Sequence, residues 1–302
     1  MSRFLVTGGR GFIGKHLTKA IRRCNAGGEV VSVGREYDLT DRDQVRRLFN
    51  EFGLFDYILH AADLQGNALW SAENAATQFH GNAAMGLNVL EAWSRYQPQS
   101  RLIGLSSLWA YPERVNNACE ETYWDGPMHS PTEHYGMVKK FMGVGLEAYK
   151  RQHGLRGTFL VLGSVYGPDD ASFHVIPSLI RRMQENPKEL EIWGDGTQRR
   201  DFVYVDDAVE GILLHLEFGG ALLNIGSGIT HSISEVVDTL VKIMRYEGKI
   251  TYNTSKGIDT PYRTLDMSRA LSLTGWPSNF HFHSLQEGLL KTIQSVIHSH
   301  HA

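Results

Sequence analysis

The chain has 302 residues, of which 42% are hydrophobic and 21% charged, and a formal net charge of −3. That length carries one large core, or one large domain with a smaller companion. The composition is that of a soluble globular protein, and the slight negative charge gives no reason to expect nucleic acid or an anionic membrane as partner. Cys24 and Cys119 stand 95 positions apart with no metal-ligand spacing, so neither a disulfide framework nor a metal site is expected. No apolar run approaches the ~18 residues of a membrane span, and a strand close to the N-terminus leaves no room for a signal peptide. The expected setting is the cytoplasm. His298, His300 and His301 read as a frayed polar tail.

Elements alternate through the first half. Phe4–Val6 reads as a short buried strand, and the glycine-rich turn Thr7-Gly8-Gly9-Arg10-Gly11-Phe12-Ile13-Gly14 leads into a helix to Cys24. A tight turn needs residues that tolerate positive φ, and a pyrophosphate approaches the backbone only where no Cβ intrudes. The N–H groups of a helix start then face the phosphates. The G-x-x-G-x-x-G spacing between a strand and a helix therefore reads as a nucleotide-cofactor site.

Strands follow at Val30–Val33, Tyr57–His60, Leu102–Leu105 and Gly157–Leu162, separated by helices at Asp43–Phe52, Asn82–Tyr96 and Glu133–Arg151. Strands alternating with helices imply a Rossmann-type, doubly wound α/β fold with a parallel sheet. The dinucleotide-binding domain is expected over 1–165, with 201–226 rejoining it through strands at Phe202–Val205 and Leu222–Ile225. A smaller substrate lobe is expected over 166–200 and 227–302, with a helix at Ile176–Gln184 and a strand at Leu190–Trp193. In such sheets the ligand crevice lies beyond the carboxyl ends of the strands, where Gly8, Arg35, Ala61, Ser107 and Ser164 all fall.

The second strand ends Val33-Gly34-Arg35-Glu36. Arg35, assisted by Arg10, suits a 2′-phosphate, which favours NADP(H); Glu36 facing the ribose would favour NAD(H). Tyr135 and Lys139 stand one turn apart on one helix face. A free tyrosine, with a pKa near 10, is a poor proton shuttle at neutrality, and a neighbouring cation lowers that value. Ser107, ending the fourth strand, can polarise a substrate oxygen. A Tyr-x-x-x-Lys pair alone is a weak signal. It gains weight from the glycine turn and from Ser106-Ser107 about thirty residues upstream.

With these motifs the chain resembles the extended short-chain dehydrogenase/reductases of the NAD-dependent epimerase/dehydratase group. The matching residues are the glycine turn, Asp38-Leu39, His60-Ala61-Ala62, Asn82, Ser106-Ser107 before Tyr111-Pro112, Tyr135 with Lys139, Val165-Tyr166-Gly167-Pro168 and Arg200-Asp201-Phe202-Val203-Tyr204-Val205-Asp206-Asp207. The resemblance implies that Gly8, Arg10, Gly11, Phe12, Ile13, Gly14, Arg35, Asp38, Leu39, Ala61, Ala62 and Asn82 border the cofactor. Ser107, Tyr135 and Lys139 become the catalytic set.

The second half is most similar to the GDP-L-fucose synthase branch of that group. His174 to Arg182 resembles its substrate-lobe helix, Ile192-Trp193-Gly194-Asp195-Gly196-Thr197 with Arg200 its nucleotide-binding loop, and Thr260 to Asp266 its late substrate contact. Ser107, Trp109, Ser164, His174, Arg182, Trp193, Arg200 and Arg263 are then expected at the substrate, the arginines at its pyrophosphate. That branch epimerises two carbons beside a 4-keto group with a cysteine and a histidine before reducing the ketone. His174 matches the histidine, whereas Trp109 stands at the cysteine position, and indole has no useful proton to exchange. Ser164 likewise replaces an expected asparagine. The expectation is an NADP(H)-dependent reductase of a nucleotide-activated 4-keto-6-deoxy sugar, with His174 either retaining one epimerisation or only binding the sugar. The alternatives are an NAD-dependent 4-epimerase and, from a different class, a non-catalytic dinucleotide sensor. A homodimer through the helices at 82–96 and 133–151 is also implied.

Overall fold

The computed structural model describes residues 1–24, 28–66, 68–170, 174–256, 263–278 and 280–299. His300, His301 and the Thr260-Pro261-Tyr262 part of the late substrate motif lie outside the described residues. Six parallel strands form the central sheet, in the spatial order Leu222–Ile225, Arg156–Leu162, Arg101–Ser107, Tyr57–His60, Phe4–Thr7, Val30–Val33. The strands at 4–7 and 222–225 are buried along their whole length, as expected where helices cover both faces of a parallel sheet.

Each element follows from its pattern. Leu17, Ala20 and Ile21 put one face of the helix Phe12–Cys24 into the core, leaving its arginines outward. Asp41 caps Arg42–Glu51 by accepting from the N–H groups of Asp43 at 2.8 Å and Gln44 at 3.3 Å. The long helices Ala75–Tyr96 and Glu133–His153 pack closely because glycines line their seam. A Cβ on Gly86 would overlap the Met142 sulfur, and one on Gly145 would stand 2.8 Å from Leu90. The first of these helices starts seven residues before the expected Asn82, and a short helix, Ala68–Glu73, precedes it.

Two expectations need correction. The strand Arg199–Tyr204 does not rejoin the central sheet. It pairs with Ser164–Tyr166 and Thr230–Ser232 in a separate three-stranded sheet, and only Leu222–Ile225 returns to the main one. The cause is the carboxylate of Asp201, fully buried, which accepts from Ser227 N at 2.7 Å, Gly228 N at 3.1 Å and Leu265 N at 3.2 Å. Those bonds tie the strand to the loops beyond the sheet. The C-terminal tail also differs, since the helix Leu285–Ser299 carries its backbone through position 298.

Candidate active site

The sheet order reverses between the strands at 4–7 and 57–60, the place where an open α/β sheet forms its crevice. Here the glycine turn meets the chain leaving His60. Gly8 has φ +67°, and a Cβ there would stand 2.5 Å from Ala62 N. A Cβ on Gly14 would stand 2.1 Å from Gly8 O, so the helix start sits directly on the turn. The first intrahelical bond runs from Lys15 N–H to Gly11 O at 2.9 Å, which places the N–H groups of Phe12, Ile13 and Gly14 ahead of it, as a phosphate site requires. A basic groove of about 520 Å³ runs beside this turn, lined by Gly9, Arg10, Lys15, Lys19 and Ser32 among others, and none of the catalytic side chains lines it. The donor set, the dipole and the glycine cradle fit a dinucleotide.

At the adenosine end, Arg10 and Arg35 are both exposed, and Arg10 pairs with Glu36 at 3.1 Å. Asp38 is exposed and turns its carboxylate back onto Thr40, accepting from its N–H at 2.9 Å, while Leu39 is buried in the core. Asn82, buried, spends its amide on the backbone of Leu64, accepting at 2.7 Å and donating at 3.0 Å. It therefore shapes the cofactor loop by pinning Leu64.

The helix Glu133–His153 brings Tyr135 and Lys139 to the carboxyl end of the strand Arg101–Ser107. Gly136 lets it approach, because a Cβ there would stand 2.8 Å from Trp109 O. Lys139 Nζ lies 5.3 Å from the Tyr135 ring centre and donates to Leu105 O at 3.2 Å. Between phenol and ammonium stands a residue the sequence reading passed over. Asp63 Oδ2 accepts from the Tyr135 hydroxyl at 2.8 Å and pairs with Lys139 Nζ at 3.1 Å. Burial foremost, and then the Asp63 charge and hydrogen bond, push the Tyr135 phenol well above tyrosine's usual value, while Ser107 pulls it down. The expected lowering of Tyr135 by Lys139 is thus reversed in net effect. His60, beneath the pair, is pushed down to about 4 by burial and by Lys139, and holds Thr7 Oγ1 at 2.8 Å.

At the substrate end, Trp109 sits in the short 3-10 turn Leu108–Ala110, its N–H donating to Ser107 Oγ at 3.3 Å. Arg263 and Arg200 stack on its ring, with guanidinium carbons 5.0 and 5.5 Å from the ring centre. Both arginines are buried, and desolvation lowers each to about 10, with Arg263 adding to the effect on Arg200. Arg263 donates to Leu108 O at 3.1 Å, while its Nε and Nη2 are buried with no partner among the described residues. A desolvated guanidinium with such donors, beside the second buried cation of Arg200, has the chemistry to receive an anion. His129, held by Glu113 at 2.7 Å, packs 5.8 Å from the Trp109 ring; this imidazole too was missed by sequence reasoning.

The other four expected substrate residues have neighbours of their own. Arg182 donates to Glu191 O and buttresses the strand Glu189–Trp193. Trp193 is half exposed and stacks with Lys256 at 5.8 Å. His174 is the N-cap residue of Val175–Glu185 and lies 3.9 Å from Asp170. Ser164 opens the strand that pairs with Arg199–Tyr204.

A family model described as the NAD dependent epimerase/dehydratase family matches residues 4–226, about three quarters of the chain. The chain belongs to that family. Within the family it is similar to the GDP-L-fucose synthase of Sinorhizobium fredii, at 30% identity over 98% of this chain and 95% of that protein. The probable GDP-L-fucose synthase 1 of Oryza sativa subsp. japonica is 28% identical over 96% and 90% of the two chains. Among solved structures, a UDP-glucose 4-epimerase of Thermotoga maritima with UDP-glucose is 27% identical and superposes with a TM-score of 0.84, covering 98% of this chain and 99% of that one. The family member described here is thus an NAD(P)-dependent enzyme of the nucleotide-sugar reductase/epimerase type. Among its described residues, no helix is long and apolar enough to cross a membrane.

Proposed function

We propose that the enzyme reduces the 4-keto group of a GDP-activated 6-deoxy sugar with NADPH and does not carry out the double epimerisation typical of GDP-L-fucose synthases. The observation that carries this reading is Trp109. It stands two residues beyond Ser107 with the guanidinium groups of both Arg200 and Arg263 against its ring, at a position where an epimerase of this branch needs an ionisable thiol. When bound, the dinucleotide supplies the hydride that adds to carbon 4. Tyr135 gives its hydroxyl proton to the resulting oxygen and regains one from water before the next turnover. Ser107 donates to the same oxygen and orients it. Lys139 holds the nicotinamide ribose and neutralises charge beside Tyr135. Arg200 and Arg263 take the substrate diphosphate, to which Arg263 offers its Nε and Nη2, unpaired among the described residues.

NADP(H) is favoured over NAD(H) by Arg10 and Arg35 at the ribose end, although the Arg10–Glu36 pair leaves NAD(H) usable. Exposed Phe79, Leu87, Met137, Phe141 and Val144 on the two long helices support a homodimer that buries this apolar face. Free Cys24 and Cys119 fit a reducing, cytoplasmic setting. The test is NADPH oxidation against a panel of nucleotide-linked 4-keto sugars, with GDP-linked ketones turned over and sugars lacking the ketone left untouched.

A 4-epimerase remains the second reading, supported by the 4-epimerase of Thermotoga maritima among the similar structures. It predicts interconversion of 4-hydroxy sugars with no net use of cofactor.

A further inference from the structure

Asp63 is held in place by a chain of contacts that no cofactor contact requires. Its neighbour Leu64 is bound by Asn82 through both backbone groups and by Gln78 Nε2 at 3.1 Å. Gln78 in turn meets His134 at 2.8 Å, and His134 adjoins Tyr135 on the catalytic helix. The loop and the helix are therefore latched on both sides of the Tyr135–Asp63 bond. Within that latch one carboxylate oxygen serves two groups, accepting from the phenol at 2.8 Å and facing the ammonium at 3.1 Å. The other oxygen, Oδ1, is buried with no partner among the described residues.

A tyrosine with only a lysine beside it can rest in either protonation state, because the ammonium stabilises the phenolate. A carboxylate at the phenol's own hydrogen changes the balance. Loss of that proton would set two negative oxygens 2.8 Å apart in a buried site, and only one ammonium would offset both. Reduction of a ketone begins with a tyrosine hydroxyl, whereas oxidation of a sugar alcohol begins with a phenolate.

We infer that Asp63 is a positioning residue that keeps the resting Tyr135 in its hydroxyl form and aims it, so that the enzyme starts each turnover as a proton donor. This deepens the reductase reading and rests on it for its functional meaning, but not for its physical content. Burial comes first in raising the Tyr135 phenol, and the groups facing it add to that direction or oppose it. Lys139 on its own helix opposes Asp63, as does the Ser107 hydroxyl from the central strand; Tyr123 from the 3-10 helix Glu120–Trp124 works with Asp63. His60 and His134, both held below histidine's usual value by burial, add no positive charge at neutral pH.

Asp63→Asn keeps the shape and removes the charge. The protein carrying tyrosine labelled with ¹³C at Cζ is titrated by NMR without added nucleotide, and the Tyr135 resonance is assigned by its loss in Tyr135→Phe. The expected result is that Tyr135 of Asp63→Asn ionises at least about one pH unit below the parent enzyme, with Asp63→Ala shifting in the same direction. The alkaline limb of kcat/KM for NADPH-dependent reduction moves down by the same amount, a change that mere loosening of the fold does not produce. Ionisation of Tyr135 at the same pH in the parent and both variants overturns the inference. A shifted titration with no reduction of any 4-keto sugar overturns the proposed function instead, and leaves the assignment of Asp63 standing.

Discussion

The guanidinium of Arg263 lies 5.0 Å from the ring centre of Trp109, buried, with two donor nitrogens that meet no acceptor among the described residues. Such an arrangement costs stability unless an anion completes it. Replacing the side chain by an apolar one of similar length should therefore separate stability from function. Arg263→Met is expected to raise the thermal midpoint by a few degrees, equivalent to roughly 1 kcal/mol. The same change should raise KM for the sugar nucleotide about tenfold or more. Calorimetry and steady-state kinetics on one preparation read both. A fall in stability with KM unchanged would place Arg263 among ordinary core residues.

Tyr135 carries the proton in this account. Tyr135→Phe removes the hydroxyl and leaves the ring against Lys139, so turnover should fall by about 10²-fold or more. Binding of NADPH, followed by fluorescence, should change far less, because Lys139 and the glycine turn remain. Turnover within about twofold of the parent would show that another group is the acid.

The Arg10–Glu36 pair, at 3.1 Å, is expected to tune the cofactor preference. Glu36→Gln frees Arg10 for a 2′-phosphate and should raise the ratio of kcat/KM with NADPH to that with NADH about fivefold, in line with an exposed ion pair of roughly 1 kcal/mol. Arg35→Ala should lower the same ratio about tenfold. The comparison must be made at one ionic strength, since both charges are solvent-exposed.

Much of this site was legible before the coordinates. The glycine turn, the Tyr135/Lys139 pair and Ser107 declare themselves, because each needs a residue type that little else can replace and each sits at a strand end or on one helix face. Asp63 did not, although it directly follows His60-Ala61-Ala62. A lone carboxylate after a strand has many innocent uses, and its partner Tyr135 is 72 residues away, so only the folded chain joins them. The same holds for His129 beside Trp109 and for Asp201, whose hydrogen bonds to Ser227 and Leu265 draw the strand Arg199–Tyr204 out of the central sheet. Arg182 has a partner that its motif did not announce: it donates to Glu191 O on the adjacent strand.

His60 gives the protein an acid limit. In the folded chain the imidazole is held down at about 4 against an unfolded value near 6.5. Between those values the unfolded chain takes up a proton that the folded one refuses. Stability should therefore fall as pH drops from 6.5 towards 4, by up to about 3 kcal/mol. Denaturant midpoints at a series of pH values should show this slope, and His60→Gln should flatten it. An equal slope in both proteins would remove His60 from the account.

The central claim is reduction at carbon 4 without the double epimerisation, and one incubation tests it most directly. The enzyme, NADPH and a GDP-linked 4-keto-6-deoxy sugar are combined in deuterated water, and the product is examined by NMR and mass spectrometry. The account predicts one NADPH consumed per product formed, and deuterium at no more than one of carbons 3 and 5. Deuterium at both carbons, or product formed with no net consumption of NADPH, would contradict it.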